Sequence, residues 1–171
     1  ISKMTPKEKI GQMCVPILQS SDIPAEIETC IREYGVGMLR YCPNANFDNA
    51  RVPVGGPNRY LSPGQTAGLL NEAQRIAQDT KHKIPLLIAV DQEGSTRSDM
   101  NRGGAMVCPA HMAFGAIDDP DLTFQIGKAT AEEFRAMGVN LVQAPIVDVI
   151  RYSGRRTIKA SSIGESVDMV C

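Results

Sequence analysis

The sequence Ile84-Pro85-Leu86-Leu87-Ile88-Ala89-Val90-Asp91-Gln92-Glu93-Gly94 passes from an apolar run into two carboxylates, an amide and a glycine. A strand needs an uninterrupted apolar run when helices cover both faces of its sheet, as they do in parallel sheets. The carboxyl end of such a strand is where α/β folds bind their ligands. The stretch therefore predicts a buried parallel strand with polar chemistry at its C-terminal end.

Strand and helix patterns alternate along the rest of the chain. Two capping boxes, each with a proline at the first helical position, predict helices that begin after Thr5 and after Ser62. Apolar residues at helical spacing predict further helices at about 23–34 and 120–137, the latter with Leu122, Ile126, Ala129 and Phe134 turned inward. Besides the run above, strands are predicted at 13–18, 36–41 and 139–149, and long loops at 42–61 and 92–118.

This alternation predicts a parallel α/β fold with right-handed crossovers. Long loops follow the predicted strands, whereas most helix-to-strand connections are short, as in a (β/α) barrel with its working face at the C-terminal ends of the strands. A closed barrel of eight units usually takes about 250 residues. We therefore expect residues 1–171 to be a single partial domain of about four β/α units, the N-terminal half of a TIM-type (β/α)8 barrel. An open doubly wound sheet is the alternative.

The composition indicates a globular chain, and its charge balance favours a small neutral ligand. Of 171 residues, 43% are hydrophobic and 22% are charged, which lies within the usual range for globular domains. The 18 basic and 19 acidic residues nearly cancel, so we expect neither nucleic acid nor an anionic membrane as a partner. No apolar stretch approaches the roughly 20 residues that span a bilayer.

The five cysteines are an odd number without the paired spacing of a metal site. Buried, reduced thiols are the expectation, and they favour the cytoplasm. Secretion stays open as an alternative, because the sequence begins at Ile1 and its N-terminus may have been processed. We expect no metal and no organic cofactor.

Two aspartates occupy equivalent places at the ends of predicted strands. Asp91 is predicted to contact the ligand, and Glu93 is a second candidate because one residue of turn geometry decides which acid faces it. Asp148 and Arg151 are predicted to be structural, with Asp148 anchoring its loop by accepting backbone hydrogen bonds. The two histidines, His82 and His111, lack the partners of a triad or a metal site.

Four segments resemble one family. They are Thr5-Pro6-Lys7-Glu8-Lys9-Ile10-Gly11-Gln12-Met13, Tyr34-Gly35-Val36-Gly37, the 85–94 stretch, and Ala144-Pro145-Ile146-Val147-Asp148-Val149. Together they are similar to the amino-terminal catalytic domain of family 3 glycoside hydrolases, over nearly the full chain. Asp-Gln-Glu-Gly after the third strand resembles the bacterial β-N-acetylglucosaminidase branch more than the β-glucosidase branch.

The resemblance implies removal of a terminal β-linked sugar with retention, through a glycosyl-enzyme intermediate on an aspartate. It also implies that Asp91 hydrogen-bonds hydroxyls of the departing sugar. Retention requires a carboxylate nucleophile and a separate proton donor. The family carries both, and a Lys-His motif, beyond the position of Cys171, so we expect no catalytic residue in this chain and no turnover by the chain alone.

The chain departs from the family pattern at two places. Ser95 and the residues after it replace a glycine followed by an arginine, and Ser161 replaces an arginine that contacts the sugar. Arg156 is a candidate substitute for that contact. The alternative function is a non-catalytic half-barrel that binds carbohydrate or a partner, either by self-association or by pairing with a missing C-terminal half.

Overall fold

A computed structural model describes residues 2–43, 61–94, 98–100, 103–150 and 160–170. In this part of the chain four parallel strands form one sheet in the order β1-β2-β3-β4. The strands are β1 Ile17–Leu18, β2 Met38–Tyr41, β3 Leu87–Asp91 and β4 Leu141–Gln143. The helices are α1 Pro6–Gly11, α2 Ala25–Glu33, α3 Pro63–Gln78, α4 His111–Ile117, α5 Pro120–Ala136 and α6 Val167–Val170. The predicted parallel α/β fold is confirmed.

Both predicted capping boxes are present. The Thr5 side chain accepts a hydrogen bond from the Glu8 backbone at the start of α1, and Ser62 accepts one from Gln65 at the start of α3. In each box the side chain at the third helical position accepts a hydrogen bond from the backbone N–H of the capping residue. These contacts satisfy N–H groups that the helix itself leaves unpaired, which explains why both helices begin where the sequence predicts.

The register of the sheet separates its side chains onto two faces. Arg40 and Leu141 are both register partners of Ala89, and residues paired in this way lie on the same face. The helix-covered face carries residues with 0% exposure, Leu18, Leu39, Ile88 and Val90, which pack with Ile31, Leu70 and Phe134 of the helices. The other face, here called the open face, is less covered, since Ile17 and Leu87 are 45% and 44% exposed.

Two strand predictions and one loop prediction are wrong in extent. The first predicted strand shrinks to two residues, and the fourth ends at Gln143 instead of Val149, because Pro145 follows closely and offers no backbone donor. The predicted loop 92–118 contains α4, which has no side-chain cap at Ala110 and so lacked a start signal. Most of the predicted loop 42–61 lies outside the described residues.

The helix predicted at 120–137 is confirmed as α5, but its inward face is partly wrong. Phe134 is buried as predicted, whereas Leu122 is 38% exposed and Ala129 is also exposed. Between Thr123 and Phe134, α5 lines a groove beside β4. The apolar pattern therefore predicted correctly that Phe134 is buried, but it did not show which other apolar residues of the helix are buried.

The four cysteines within the described residues are free thiols. Cys42 and Cys108 are buried as expected, Cys30 is intermediate, and Cys14 is exposed, so for Cys14 the prediction of burial is wrong. Burial raises the pKa of the Cys108 thiol. Among the described helices, none combines the length and the apolar character needed to cross a bilayer.

Candidate functional site

Charged side chains meet where β2 and β3 end. Asp91 is the last residue of β3, and its side chain on the open face is 24% exposed. Arg40, the third residue of β2, forms an ion pair with Asp91 through Nη2. The same nitrogen lies 3.5 Å from Oδ2 of Asp99, which comes from the segment after β3. We call this group of Arg40, Asp91 and Asp99 the rim.

Asp99 holds the segment after β3 against the end of that strand. Its Oδ2 accepts a hydrogen bond of 2.8 Å from the Asp91 backbone, and its own N–H donates one of 2.9 Å to the Asp91 carbonyl. Its Oδ1 accepts a bond of 2.9 Å from the Cys42 thiol. Because the Asp99 side chain is only 6% exposed, these contacts occur in a poorly solvated place where hydrogen bonds are strong.

The contacts of the rim shift the pKa values of Arg40 and Asp91, the two partly exposed members. Burial raises the pKa of Asp91, and the carboxylates of Asp99 and Glu93 raise it further, while Arg40 opposes them. For Arg40, burial lowers the pKa, but the carboxylates of Asp99 and Asp91 outweigh it, so the net shift is upward. Arg40 therefore stays charged, and Asp91 takes a proton more readily than an exposed aspartate.

Glu93 lies two residues after Asp91 but contacts a different part of the chain. Its Oε2 accepts a hydrogen bond of 2.7 Å from the Ser161 hydroxyl. Ser161 is fully buried, and its carbonyl lies 2.9 Å from Nδ1 of His111 on α4. Glu93 thus links the end of β3 to the segment that returns after β4, whereas Asp91 belongs to the rim.

The remaining predicted site residues lie away from this pair or outside the described chain. Asp148 follows β4 by five positions, and its backbone oxygen accepts a hydrogen bond of 2.5 Å from Ser162. Its carboxylate is exposed and makes no hydrogen bond to the described residues. Arg151 and Arg156 lie outside the described residues.

Sequence reasoning missed Arg40 and Asp99. A signal for Arg40 was present, because a charge inside the apolar strand Met38-Leu39-Arg40-Tyr41 requires an opposite charge nearby. The sequence contains several acidic residues and does not indicate which of them pairs with Arg40. Asp99 stood in a predicted loop and carried no signal of its own.

A groove of about 290 Å³ lies on the helix-covered side, between β4, α4 and α5. Gln92 lines it and is 5% exposed, and neither of its amide atoms has a hydrogen-bond partner among the described residues. Neighbouring residues of a strand point to opposite faces of a sheet. The groove that Gln92 lines is therefore separate from Asp91 on the open face. The groove is mainly apolar, which does not suit a sugar with many hydroxyls.

Metal coordination finds no support in the part of the chain that the structure describes. Nowhere there do three histidine, cysteine, aspartate or glutamate side chains come together in a way that could hold an ion. The chemistry at the rim is instead that of one guanidinium and two carboxylates. Such groups bind neutral polar ligands by offering hydrogen-bond donors and acceptors side by side.

Comparison with known proteins adds family information to this geometry. The sequence model of the glycosyl hydrolase family 3 N terminal domain matches residues 5–171. Beta-hexosaminidase A of Pseudoalteromonas piscicida is 32% identical over 128 residues, which are 71% of this chain and 21% of that protein. A periplasmic beta-glucosidase/beta-xylosidase of Dickeya chrysanthemi is 25% identical over 154 residues, 87% of this chain and 22% of that protein.

A solved structure extends the likeness to three dimensions. The glycoside hydrolase family 3 beta-N-acetylglucosaminidase of Paenibacillus sp. str. FPU-7 superposes with a TM-score of 0.82 at 29% identity. The match covers 98% of this chain and 29% of that chain. The chain therefore has the α/β fold of these barrel-type enzymes, and it spans about a fifth of the length of the two curated relatives above.

Proposed function

The chain belongs to the glycosyl hydrolase family 3 N-terminal domain family, and we propose that it forms the sugar-binding half of a retaining β-N-acetylglucosaminidase barrel. In this proposal residues 1–171 are one partial domain of about four β/α units. Retention needs a carboxylate nucleophile and a separate proton donor, and the family resemblance implies that both come from outside these residues. No metal or organic cofactor enters the proposal.

The placement of Asp91 carries the proposal. Its carboxylate lies at the C-terminal end of a parallel strand, on the open face, and remains partly exposed beside Arg40. A carboxylate in this position accepts hydrogen bonds from sugar hydroxyls, and such bonds assist catalysis when they strengthen at the transition state. Glu93 is a second substrate-binding candidate, and Arg156 is a third. We propose structural and not substrate-binding roles for Asp148, whose backbone oxygen accepts a hydrogen bond from Ser162, and for Arg151.

The preference for N-acetylglucosamine over glucose follows from the relatives. The hexosaminidase is 32% identical to this chain, whereas the β-glucosidase/β-xylosidase is 25% identical. The superposed structure is also that of a β-N-acetylglucosaminidase. We propose the cytoplasm as the location and a carbohydrate as the partner, with neither nucleic acid nor a membrane.

The test compares two purified proteins. One is the complete protein that contains these residues, and the other is residues 1–171 alone. We expect the complete protein to hydrolyse an aryl β-N-acetylglucosaminide with a higher kcat/KM than an aryl β-glucoside. Residues 1–171 alone are expected to show no turnover. Hydrolysis of neither glycoside by the complete protein, or turnover by the 171 residues alone, would contradict the proposal.

The exposed apolar side chains of the open face favour one second candidate. Ile17 and Leu87 are nearly half exposed there, so this face gains stability when another surface covers it. A half-barrel that binds sugar or a partner without catalysis would use the same face, by self-association or by pairing with a C-terminal half. Sugar binding by a complete protein that hydrolyses no glycoside would support this candidate.

A further inference from the structure

We infer that Arg40 is a second sugar-contacting residue of the rim and that Asp99 is the residue that positions it. The inference rests on the proposed function and deepens it. Arg40 would donate to a hydroxyl next to the one from which Asp91 accepts. The two side chains together would then recognise a pair of neighbouring ring hydroxyls.

Among the described residues, the guanidinium of Arg40 uses only part of its hydrogen-bonding capacity. An arginine carries five N–H donors. The contacts of Arg40 with Asp91, Asp99 and the Cys42 sulfur all run through Nη2. Within the described residues the buried Nε has no partner, and Nη1 makes no hydrogen bond. The side chain is 31% exposed, so donors remain available beside Asp91.

Asp99 explains why the guanidinium stays in place. One buried carboxylate contacts Nη2 of Arg40 while it also bonds the backbone of Asp91. Arg40 and Asp91, which would contact the sugar, are thus both held by Asp99. Because Asp99 is almost fully buried, it positions the other two residues and is not itself open to a ligand.

The chemistry of this arrangement suits neutral hydroxyls. A hydroxyl both donates and accepts, so an acceptor at Asp91 and a donor at Arg40 can serve two adjacent hydroxyls at once. Hydrogen bonds to charged groups are roughly twice as strong as neutral ones. The attraction between opposite charges also offsets part of the desolvation penalty that a lone charge would suffer under a bound sugar.

The experiment uses the complete protein with Arg40→Met, Arg40→Lys and a matched control, Arg32→Met. Arg32 is 35% exposed and also contacts two carboxylates, Glu28 and Asp79, but it lies on α2. With the aryl β-N-acetylglucosaminide we expect R40M to lower kcat/KM by about 10- to 100-fold, as for the loss of a charged hydrogen bond. R40K should recover part of the loss, and R32M should stay within twofold of wild type.

Two readouts follow separately the electrostatic effect of Arg40 on Asp91 and its contact with the sugar. Removal of the cation raises the pKa of Asp91 further, so the acid limb of kcat/KM should move to higher pH in R40M and not in R32M. A panel of monodeoxy aryl sugars tests the contact directly. For the sugar that lacks the hydroxyl contacted by Arg40, kcat/KM of the wild type should fall strongly relative to the parent sugar. For R40M the two sugars should have similar kcat/KM.

The outcomes distinguish this inference from the proposed function. If folded R40M and R40K keep kcat/KM within twofold of wild type, or if R40M responds to every deoxy sugar as wild type does, the inference is wrong. If the wild type hydrolyses neither glycoside, the proposed function fails. Equilibrium titration with N-acetylglucosamine then decides the role of Arg40. Equal affinity of R40M and wild type, or no binding by the wild type, would overturn it.

Discussion

The Ser161 hydroxyl donates a hydrogen bond of 2.7 Å to the Glu93 carboxylate and so joins two residues that are 68 positions apart. Glu93 follows the end of β3, and Ser161 belongs to the segment that returns after β4. His111 of α4 contacts the Ser161 carbonyl from the other side. Through this contact Glu93 links the two loops, whereas Asp91 pairs with Arg40 on the open face.

The Ser161 contact predicts a loss of stability in Ser161→Ala. Ser161 is fully buried and its partner is a carboxylate, so removal of the hydroxyl should lower the free energy of unfolding by about 1–3 kcal/mol. Urea unfolding of both proteins measures the difference. Ser20→Ala is the control, because Ser20 bonds only the nearby Asp22 carbonyl in an exposed turn. Equal effects of the two substitutions would show that the long-range contact adds nothing.

Asp91→Ala should lower kcat/KM of the complete protein by at least about tenfold, since a carboxylate that accepts from sugar hydroxyls is lost. Steady-state kinetics with an aryl β-N-acetylglucosaminide provide the measurement. Asp79→Ala removes an aspartate that pairs with an arginine on the helix side and should leave the kinetics unchanged. Wild-type kinetics in the Asp91 variant would reject the role assigned to it.

Glu8 predicts a dependence of stability on pH. The Thr5 backbone and side chain, with smaller contributions from His82 and Lys81, lower the pKa of Glu8 from 4.5 to about 2. A carboxyl whose pKa is lowered by folding stabilises the protein above its ordinary pKa, and this contribution disappears as the pH falls through about 2. Glu8→Gln should therefore be less stable than wild type at pH 7, and the difference should shrink between pH 4.5 and pH 2.

Urea midpoints of both proteins across that pH range test the Glu8 prediction. A stability difference that stays constant down to the lowest pH would mean that the charge of Glu8 is not the cause. The capping bond to Thr5 would then act through its geometry alone.

Gly94 should not tolerate a side chain. Its φ is +77°, and a Cβ there would lie 2.1 Å from the Pro109 carbonyl oxygen. Gly94→Ala should destabilise the protein by more than about 2 kcal/mol, because both the backbone conformation and the contact oppose the methyl group. Gly68→Ala in α3 is the control, since a Cβ there meets nothing within 4 Å. This control should stabilise the helix by about 0.5–1 kcal/mol.

Thermal unfolding of the two glycine variants measures both effects. The expected result is a lower Tm for Gly94→Ala and a higher Tm for Gly68→Ala. A Gly94 variant as stable as wild type would show that the turn after β3 relaxes easily.

Local signals in the sequence account for the parts of the fold that were predicted correctly. The capping boxes at Thr5 and Ser62 involve residues only three positions apart, so the sequence contains both partners of each bond. The apolar run before Asp91 likewise indicates a strand buried in a parallel sheet. The position of α4 was missed because its start at Ala110 has no capping side chain.

Sequence alone therefore settled the alternation of helices and strands and the family to which the chain is similar, because periodicity and capping depend on near neighbours. Tertiary structure decided which charges meet. Arg40 pairs with Asp91 over 51 positions and Cys42 with Asp99 over 57, since the parallel register brings the ends of β2 and β3 together. A charge inside a strand indicates that a partner exists, but only the register of the sheet selects it among many acids.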